Sequence, residues 1–166
     1  MSSSDRRAAL ALIASAALAA LAGCGFQLRR APPVPFSRIA LRGFLPRSPL
    51  AEELARTIAQ VAEVVSDPTA AQAVLESITD QREKVVVSTT ASAQVREVQL
   101  RVRFKFRLLA PGGRELLAPD ELLLTREMSY NETNALAKEQ EEAELYRAMQ
   151  SDIVAQVMRR LSAAKA

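Results

Sequence analysis

Val98-Gln99-Leu100-Arg101-Val102-Arg103-Phe104-Lys105-Phe106-Arg107-Leu108 is the stretch that decides the fold of this chain. Successive side chains of a strand point to opposite faces. Val98, Leu100, Val102, Phe104, Phe106 and Leu108 therefore share one face, and Gln99, Arg101, Arg103, Lys105 and Arg107 the other. One face is built to be covered and one to stay wet, as in an antiparallel sheet packed on a single side. Pro111-Gly112-Gly113 follows directly and supplies hairpin turn chemistry, so Leu116 to Met128 reads as the returning strand. Pro119 within it has no backbone N–H to donate, which predicts an edge or a bulge at that point.

Upstream, Ser37 to Arg42 carries Ile39 and Leu41 at strand spacing and reads as a first strand. Ser48 then offers an N-cap and Pro49 fits the first helical position, where a missing N–H costs nothing. Leu50, Leu54, Ile58 and Val61 line one face of the helix that follows, with Ala51, Ala55 and Ala62 beside them. Asp67-Pro68 ends it, and Ala73 to Val87 reads as a second strand with a polar middle and a β-branched end at Val85-Val86-Val87. Ser88 to Val95, made largely of Ser, Thr and Ala, is expected to be a mobile connection.

After the hairpin, Asn131, Thr133 and Asn134 compete to cap a last helix running through Leu161. Leu145, Met149, Ile153, Val157 and Leu161 form its apolar stripe, widened by Tyr146, Val154 and Met158. Glu139, Glu141, Glu142 and Glu144 near its start and Arg159 and Arg160 at its end match the helix dipole, and that placement accounts for the carboxylates better than an acid/base or metal pair does. The order strand, helix, strand, strand, strand, helix defines an α+β fold, with two helices packed on one face of a four-stranded sheet.

The N-terminal residues have another character. Arg6 and Arg7 precede an apolar run from Ala8 to Ala22, and Leu21-Ala22-Gly23-Cys24 ends it with small residues and the single cysteine. That order predicts a signal peptide over residues 1–23, with Cys24 the acylated N-terminus of the mature protein. The run is short for a bilayer span, which takes about 20 residues. Arg29 to Phe36, with Pro32, Pro33 and Pro35, reads as a semi-rigid tether, so residues 24–36 would join the lipid to one domain over residues 37–166. Gly25 stands where an inner-membrane retention signal would place aspartate, which favours the outer membrane. With its cysteine acylated the chain can form no internal disulfide. The absence of histidine rules out a Ser-His-Asp or Cys-His centre and removes the usual zinc ligands. No catalytic residue, metal site or cofactor is expected.

The net charge of +3 is too small to argue from, so any affinity for anions depends on where the charges sit. Arg101, Arg103, Lys105 and Arg107 stand about 6.6 to 6.8 Å apart along one strand face, a spacing that suits several phosphates. The same ladder is equally at home as the solvated outer face of a one-sided sheet, paired with carboxylates such as Glu76 or Glu121 on neighbouring strands. Nucleic acid is disfavoured, because Phe104 and Phe106 lie on the apolar face and are unavailable for base stacking. Those two phenylalanines read as core packing rather than the lining of a lipid tunnel.

Gly23-Cys24-Gly25-Phe26-Gln27-Leu28-Arg29, followed by the proline-bearing tether, and Asn134-Ala135-Leu136-Ala137-Lys138 opening the last helix resemble the LptE family of lipopolysaccharide-assembly lipoproteins of Gram-negative outer membranes. The order of elements from Cys24 to Leu161 is similar as well. The resemblance implies a non-enzymatic lipoprotein that plugs the LptD β-barrel in a one-to-one complex, assists the barrel's assembly and contacts lipopolysaccharide. Lys138 matches the family's lysine in the Ala-Leu-Ala-Lys motif. The family's other basic contact lies in the loop before the third strand, where this chain has Thr89, Thr90, Ala91, Ser92 and Ala93 and its nearest cation is Arg96. Lys138, Arg96, Arg101, Arg103 and Lys105 are thus the expected lipopolysaccharide contacts. The alternative is a general envelope lipoprotein adaptor that binds no lipopolysaccharide.

Overall fold

The computed structural model describes residues 31–165. Cys24, the signal segment and the start of the tether lie outside the described residues.

The alternating stretch forms β4 (Val95–Leu109), which pairs antiparallel with β3 (Ala73–Thr89) on one side and β5 (Glu115–Ser129) on the other. β1 (Arg38–Arg42) joins the far side of β3 in parallel. The sheet then gains a strand the sequence does not announce: β2 (Glu63–Val65) pairs in parallel with β1, giving five strands in the order β2-β1-β3-β4-β5 rather than four. β2 is only three residues long, too short to display a two-residue period.

Both helices cover the inner face. α1 (Pro49–Ile58) opens as expected: the Ser48 hydroxyl accepts from the Ala51 amide, and Pro49 sits in the first turn. Leu50, Leu54 and Ile58 are buried. The helix stops before Val61, whose amide donates to the Ile58 carbonyl at 2.9 Å in the turn leading to β2. α2 (Ala135–Ala163) buries Met149, Ile153, Val157 and Leu161, all from its second half. Its N-cap is Asn134, one of the three expected candidates. Asn134 makes no side-chain cap, and Asn131 instead accepts from the Thr133 amide at 2.9 Å in a 3-10 turn over Glu132–Asn134. No acidic residue falls in the first turn, and the dipole's influence fades beyond it. Two of the expected dipole carboxylates have ion-pair partners instead: Glu141 pairs with Lys138 within the helix and Glu142 with Lys84 of β3.

The core is centred on β4. Leu100, Phe104, Phe106 and Leu108 are fully buried together with Ile39, Leu54, Leu75, Met149 and Ile153. Phe104 and Phe106 stack with ring centroids 5.3 Å apart, and Phe44 adds a second ring 5.9 Å from Phe104. Offset aromatic pairs contribute about 0.5–1.5 kcal/mol beyond the area they bury. Phe36, at the end of the proline-bearing stretch, is also core, with Val34 and Ala31 packed against the same cluster.

Irregularities within the strands and the two hairpins fix the strand registers. A bulge between Ser77 and Thr79 flips the phase of β3: Leu75 and Ser77 face inward before it, opposite Leu108 and Phe106, and Asp80 and Arg82 face inward after it, opposite Phe104 and Val102. The register of β5 likewise shifts between Leu117 and Asp120. Pro119 lies inside that shift on an edge strand, as its missing donor requires. The connection expected to be mobile is a short closed hairpin, with strand pairing reaching Thr89 and Val95 and the Thr90 amide donating to the Gln94 carbonyl at 2.8 Å. At the opposite end Ala110 to Arg114 forms the Pro-Gly-Gly hairpin, with Gly113 at φ +84°.

Gly43 has φ +80°, and a Cβ there would come within 2.3 Å of the Ser77 carbonyl oxygen. Gly112 has open space around it. Gly43→Ala should therefore lower stability by more than the roughly 1–2 kcal/mol of left-handed strain alone. Gly112→Ala should be neutral or stabilising by up to about 1 kcal/mol. Urea unfolding of the two variants checks the contrast.

Candidate functional site

The side chains of Arg101, Arg103, Lys105 and Arg107 stand on the open face of the sheet, away from both helices, as the alternation predicts. Cross-strand neighbours decide how much of their charge is free. Glu76 of β3 lies opposite Arg107 and binds it at 2.5 Å while also holding Arg42 at 2.5 Å. Glu115 approaches Arg107 at 3.9 Å, and Glu121 approaches Arg103 at 3.5 Å. The Arg103 Nε is buried without a hydrogen-bond partner. Arg101 donates only to Gln99, at 2.7 Å. Among the described residues Arg101 and Lys105 have no carboxylate partner. The ladder is thus neutralised at the end near Glu76, half-paired at Arg103, and open at Lys105 and Arg101. Leu123, opposite Arg103 on β5, is 49% exposed, so apolar surface lies beside the cations.

The Glu76 carboxylate is held below its ordinary value of 4.5, first by the hydrogen bond from Arg42 and then by that from Arg107, with burial opposing both.

The other two expected contact residues lie elsewhere. Lys138, in the first turn of α2, donates to the Ser129 hydroxyl at 3.1 Å and pairs with Glu141 at 2.8 Å. Arg96 is the second residue of β4, and its carbonyl accepts from the Tyr130 amide at 2.7 Å. Both therefore meet the end of β5, and Arg96 lines a small polar pocket of about 330 Å³ with Thr90, Tyr130 and Asn131. The five expected residues form two groups, Arg101, Arg103 and Lys105 on the open face and Arg96 and Lys138 at the corner where β4 begins and β5 ends.

A third polar region is one the sequence reading passed over. After the β3 bulge, Arg82 and Lys84 face the helices. Arg82 donates to Gln150 at 2.5 Å and lies 5.4 Å from the centre of the Tyr146 ring. Gln150, buried in α2, donates in turn to the Pro49 carbonyl and to Glu53. Lys84 pairs with Glu142 at 2.6 Å and lies 5.3 Å from the Tyr130 ring. The Glu142 hydrogen bond raises the Lys84 pKa, and burial raises that of Tyr146, whose hydroxyl donates to the Glu83 carbonyl. Arg82, Lys84, Glu53, Glu142, Tyr146 and Gln150 line a groove of about 890 Å³ between α1 and α2. The polar middle of β3 was the only sequence signal for it. Among the described residues no cluster of acidic or sulfur side chains could hold a metal ion, and no helix is long and apolar enough to cross a membrane.

This arrangement of sheet and helices matches a known family. The family model described as LptE, lipopolysaccharide-assembly, fits residues 36–161. The chain belongs to the LptE family. Its fold is that of several solved lipoproteins. The solution structure of an uncharacterized lipoprotein B from Nitrosomonas europaea is 34% identical with a TM-score of 0.70, covering 84% of this chain and 91% of that one. The crystal structure of the rare lipoprotein B from Shewanella oneidensis is 21% identical with a TM-score of 0.63, covering 76% and 94%. A minor lipoprotein from Acinetobacter baumannii is 22% identical with a TM-score of 0.64, covering 79% and 94%. Among curated proteins none matches this chain. As an LptE-family member it is a lipopolysaccharide-assembly lipoprotein of the cell envelope.

Because the native pKa of Glu76 is lowered, its ion pairs contribute stability above the ordinary value of 4.5, and that contribution is lost as pH falls through the native value. Glu76→Gln should therefore be less stable than the parent at neutral pH, with the gap closing as pH falls below 4.5 through the lowered native value. Chemical denaturation across that range measures it.

Proposed function

We propose that this LptE-family protein is the outer-membrane lipoprotein subunit of the lipopolysaccharide translocon. Cys24 carries the lipid once residues 1–23 are removed, and the domain lodges as a non-enzymatic plug inside the LptD β-barrel in a one-to-one complex. There it assists assembly of the barrel and contacts lipopolysaccharide passing toward the cell surface. The observation that carries this reading is the family match from Phe36 to Leu161, which takes in the whole sheet and nearly all of α2.

The charge layout supports the choice of ligand. Lipid A carries phosphates and the inner core carboxylates, and guanidinium and ammonium groups bind both through charge-assisted hydrogen bonds. Lys105 and Arg101 supply cations without carboxylate partners beside the exposed Leu123, a pairing suited to an anionic amphiphile. Arg96 and Lys138 supply a second pair at the far corner. Arg103 is the weaker contributor, since Glu121 competes for it.

Co-expression with the cognate barrel tests the reading. A one-to-one complex surviving detergent and moderate salt is expected, and failure to co-elute would favour the general adaptor. Within the complex, Lys105→Glu and Lys138→Glu should each weaken lipopolysaccharide binding by roughly ten-fold or more, since a hydrogen bond to a charged group is worth about 1.5–3 kcal/mol. Arg107→Gln should do far less, because Glu76 already occupies that guanidinium.

A further inference from the structure

The two edges of the sheet are unlike. β2 is three residues long, whereas β5 runs for fifteen and has β4 as its only strand partner. Pro119 and the register shift beside it interrupt the start of β5, and from Asp120 to Ser129 every residue then pairs with β4 in one unbroken register. The Tyr130 amide donates to the Arg96 carbonyl, which continues that register and fixes its phase. Even-numbered residues of β5 therefore turn their backbone groups toward β4, and Glu121, Leu123, Thr125 and Glu127 turn theirs to the free edge. Among the described residues, only the Thr125 carbonyl of these edge groups has a partner, the guanidinium of the adjacent Arg126 at 3.0 Å. A regular open edge of this length is a template for another strand.

The side chains along the edge select which strand. Set antiparallel to β5 of a second copy, with Leu123 opposite Leu123, the strand pairs Glu121 with Thr125 on either side of that centre, and each of these pairs exchanges two backbone hydrogen bonds. Leu123, 49% exposed, is then covered by its own counterpart. On the helix side Leu122 meets Leu124 of the second copy, and Asp120 meets Arg126 directly opposite. Asp120 already holds Arg160, and Arg126 holds Asp152 at 3.4 Å. The new contact joins these pairs into a run of alternating charge across the junction. Other registers lose the match. Leu123 opposite Thr125 sets Glu121 against Glu127, Leu123 opposite Glu127 sets Arg126 against Leu124, and Leu123 opposite Glu121 brings Pro119, which has no donor, to Thr125.

We infer that free copies of this protein pair edge to edge through β5, antiparallel about a twofold axis at Leu123. The axis runs perpendicular to the sheet, so the two sheets join as one, with the helices of both copies on one side and Arg101 and Lys105 of both copies on the other. Pairing also covers an edge that would otherwise recruit unrelated strands. The contact is isologous and confined to Asp120 to Arg126, so the association is weak and depends on concentration. It concerns the protein without its barrel and does not rest on the LptD reading, so the two can fail separately.

Cys24 is the only native cysteine and is common to every variant, so the parent protein measures its contribution. The full-length protein in detergent is oxidised with copper phenanthroline, and the disulfide dimer is read on a non-reducing gel. Leu123→Cys places two Cα atoms about 5.5 Å apart, inside the disulfide range of about 4.4–6.8 Å, and should give a dimer well above the parent's level. Thr125→Cys sets them about 14 Å apart along the strands and should stay at the parent's level. Sedimentation equilibrium in density-matched detergent follows association without a cross-link. The parent should dimerise as concentration rises. Thr125→Pro removes a donor that β4 does not use, so the fold holds, while the dimer loses that donor twice and should weaken by roughly ten-fold or more. Leu123→Glu sets like charges directly opposite and should likewise weaken it. Circular dichroism confirms that both variants are folded. The proposal is overturned if Leu123→Cys cross-links no more than the parent, if Thr125→Cys matches or exceeds it, or if either folded variant associates as tightly as the parent.

Discussion

Burial of the inner face of β4 is the constraint on which the rest of the structure depends. β4 is hydrogen-bonded on both sides, and its inward residues from Val98 to Leu108 form the floor on which both helices rest. Each large apolar side chain removed from water contributes about 1.5–3 kcal/mol. α1 is only ten residues long, too short to persist alone in water. It exists because Leu50, Leu54 and Ile58 find that floor. α2 is longer, yet only its second half contributes buried residues, and ion pairs to β5, Arg126 with Asp152 and Arg160 with Asp120, hold it along the sheet edge.

A sheet covered on one side leaves the other to be stabilised by its own side chains. This chain places cations there along β4 and answers them unevenly with carboxylates on β3 and β5. Where Glu76 stands between Arg42 and Arg107 the charge is consumed internally; at Lys105 and Arg101 it is not. The ladder is thus internally paired at one rung and, among the described residues, without a carboxylate partner at others. The polar inner surface beyond the β3 bulge is a separate solution: Arg82 and Lys84 would be costly under a helix without partners, and Tyr146, Gln150 and Glu142 provide them.

The one-sided sheet, the two helices and the Pro119 irregularity were legible because β4 alternates without interruption and because Ser48-Pro49 and Pro111-Gly112-Gly113 carry specific backbone chemistry. β2 was not legible, since three residues show no period. The register of β3 was hidden by the bulge at Ser77, which moves the inward positions from Ala73 and Leu75 to Asp80 and Arg82. A fixed two-residue period cannot follow that change, so the groove groups went unnoticed. The carboxylates of α2 lie beyond its first turn, where the dipole is weak; Glu141 pairs instead with Lys138 one turn away, and Glu142 with Lys84 of β3, a pairing set by tertiary packing. The basic residues of the site were all visible as residues. Their division between an open face and a corner was not, because it follows from the sheet's order and from where α2 begins.

The central claim is that the open face of β4 is the working surface of this lipopolysaccharide-assembly lipoprotein. The most direct measurement places a photo-crosslinking amino acid at Lys105 in the full-length lipoprotein, irradiates intact cells and identifies what becomes attached. Adducts with the barrel protein or with lipopolysaccharide are the predicted result. A Lys105 probe that stays unattached in folded, membrane-localised protein, while a probe on the solvent-facing side of α2 captures either one, would contradict the account.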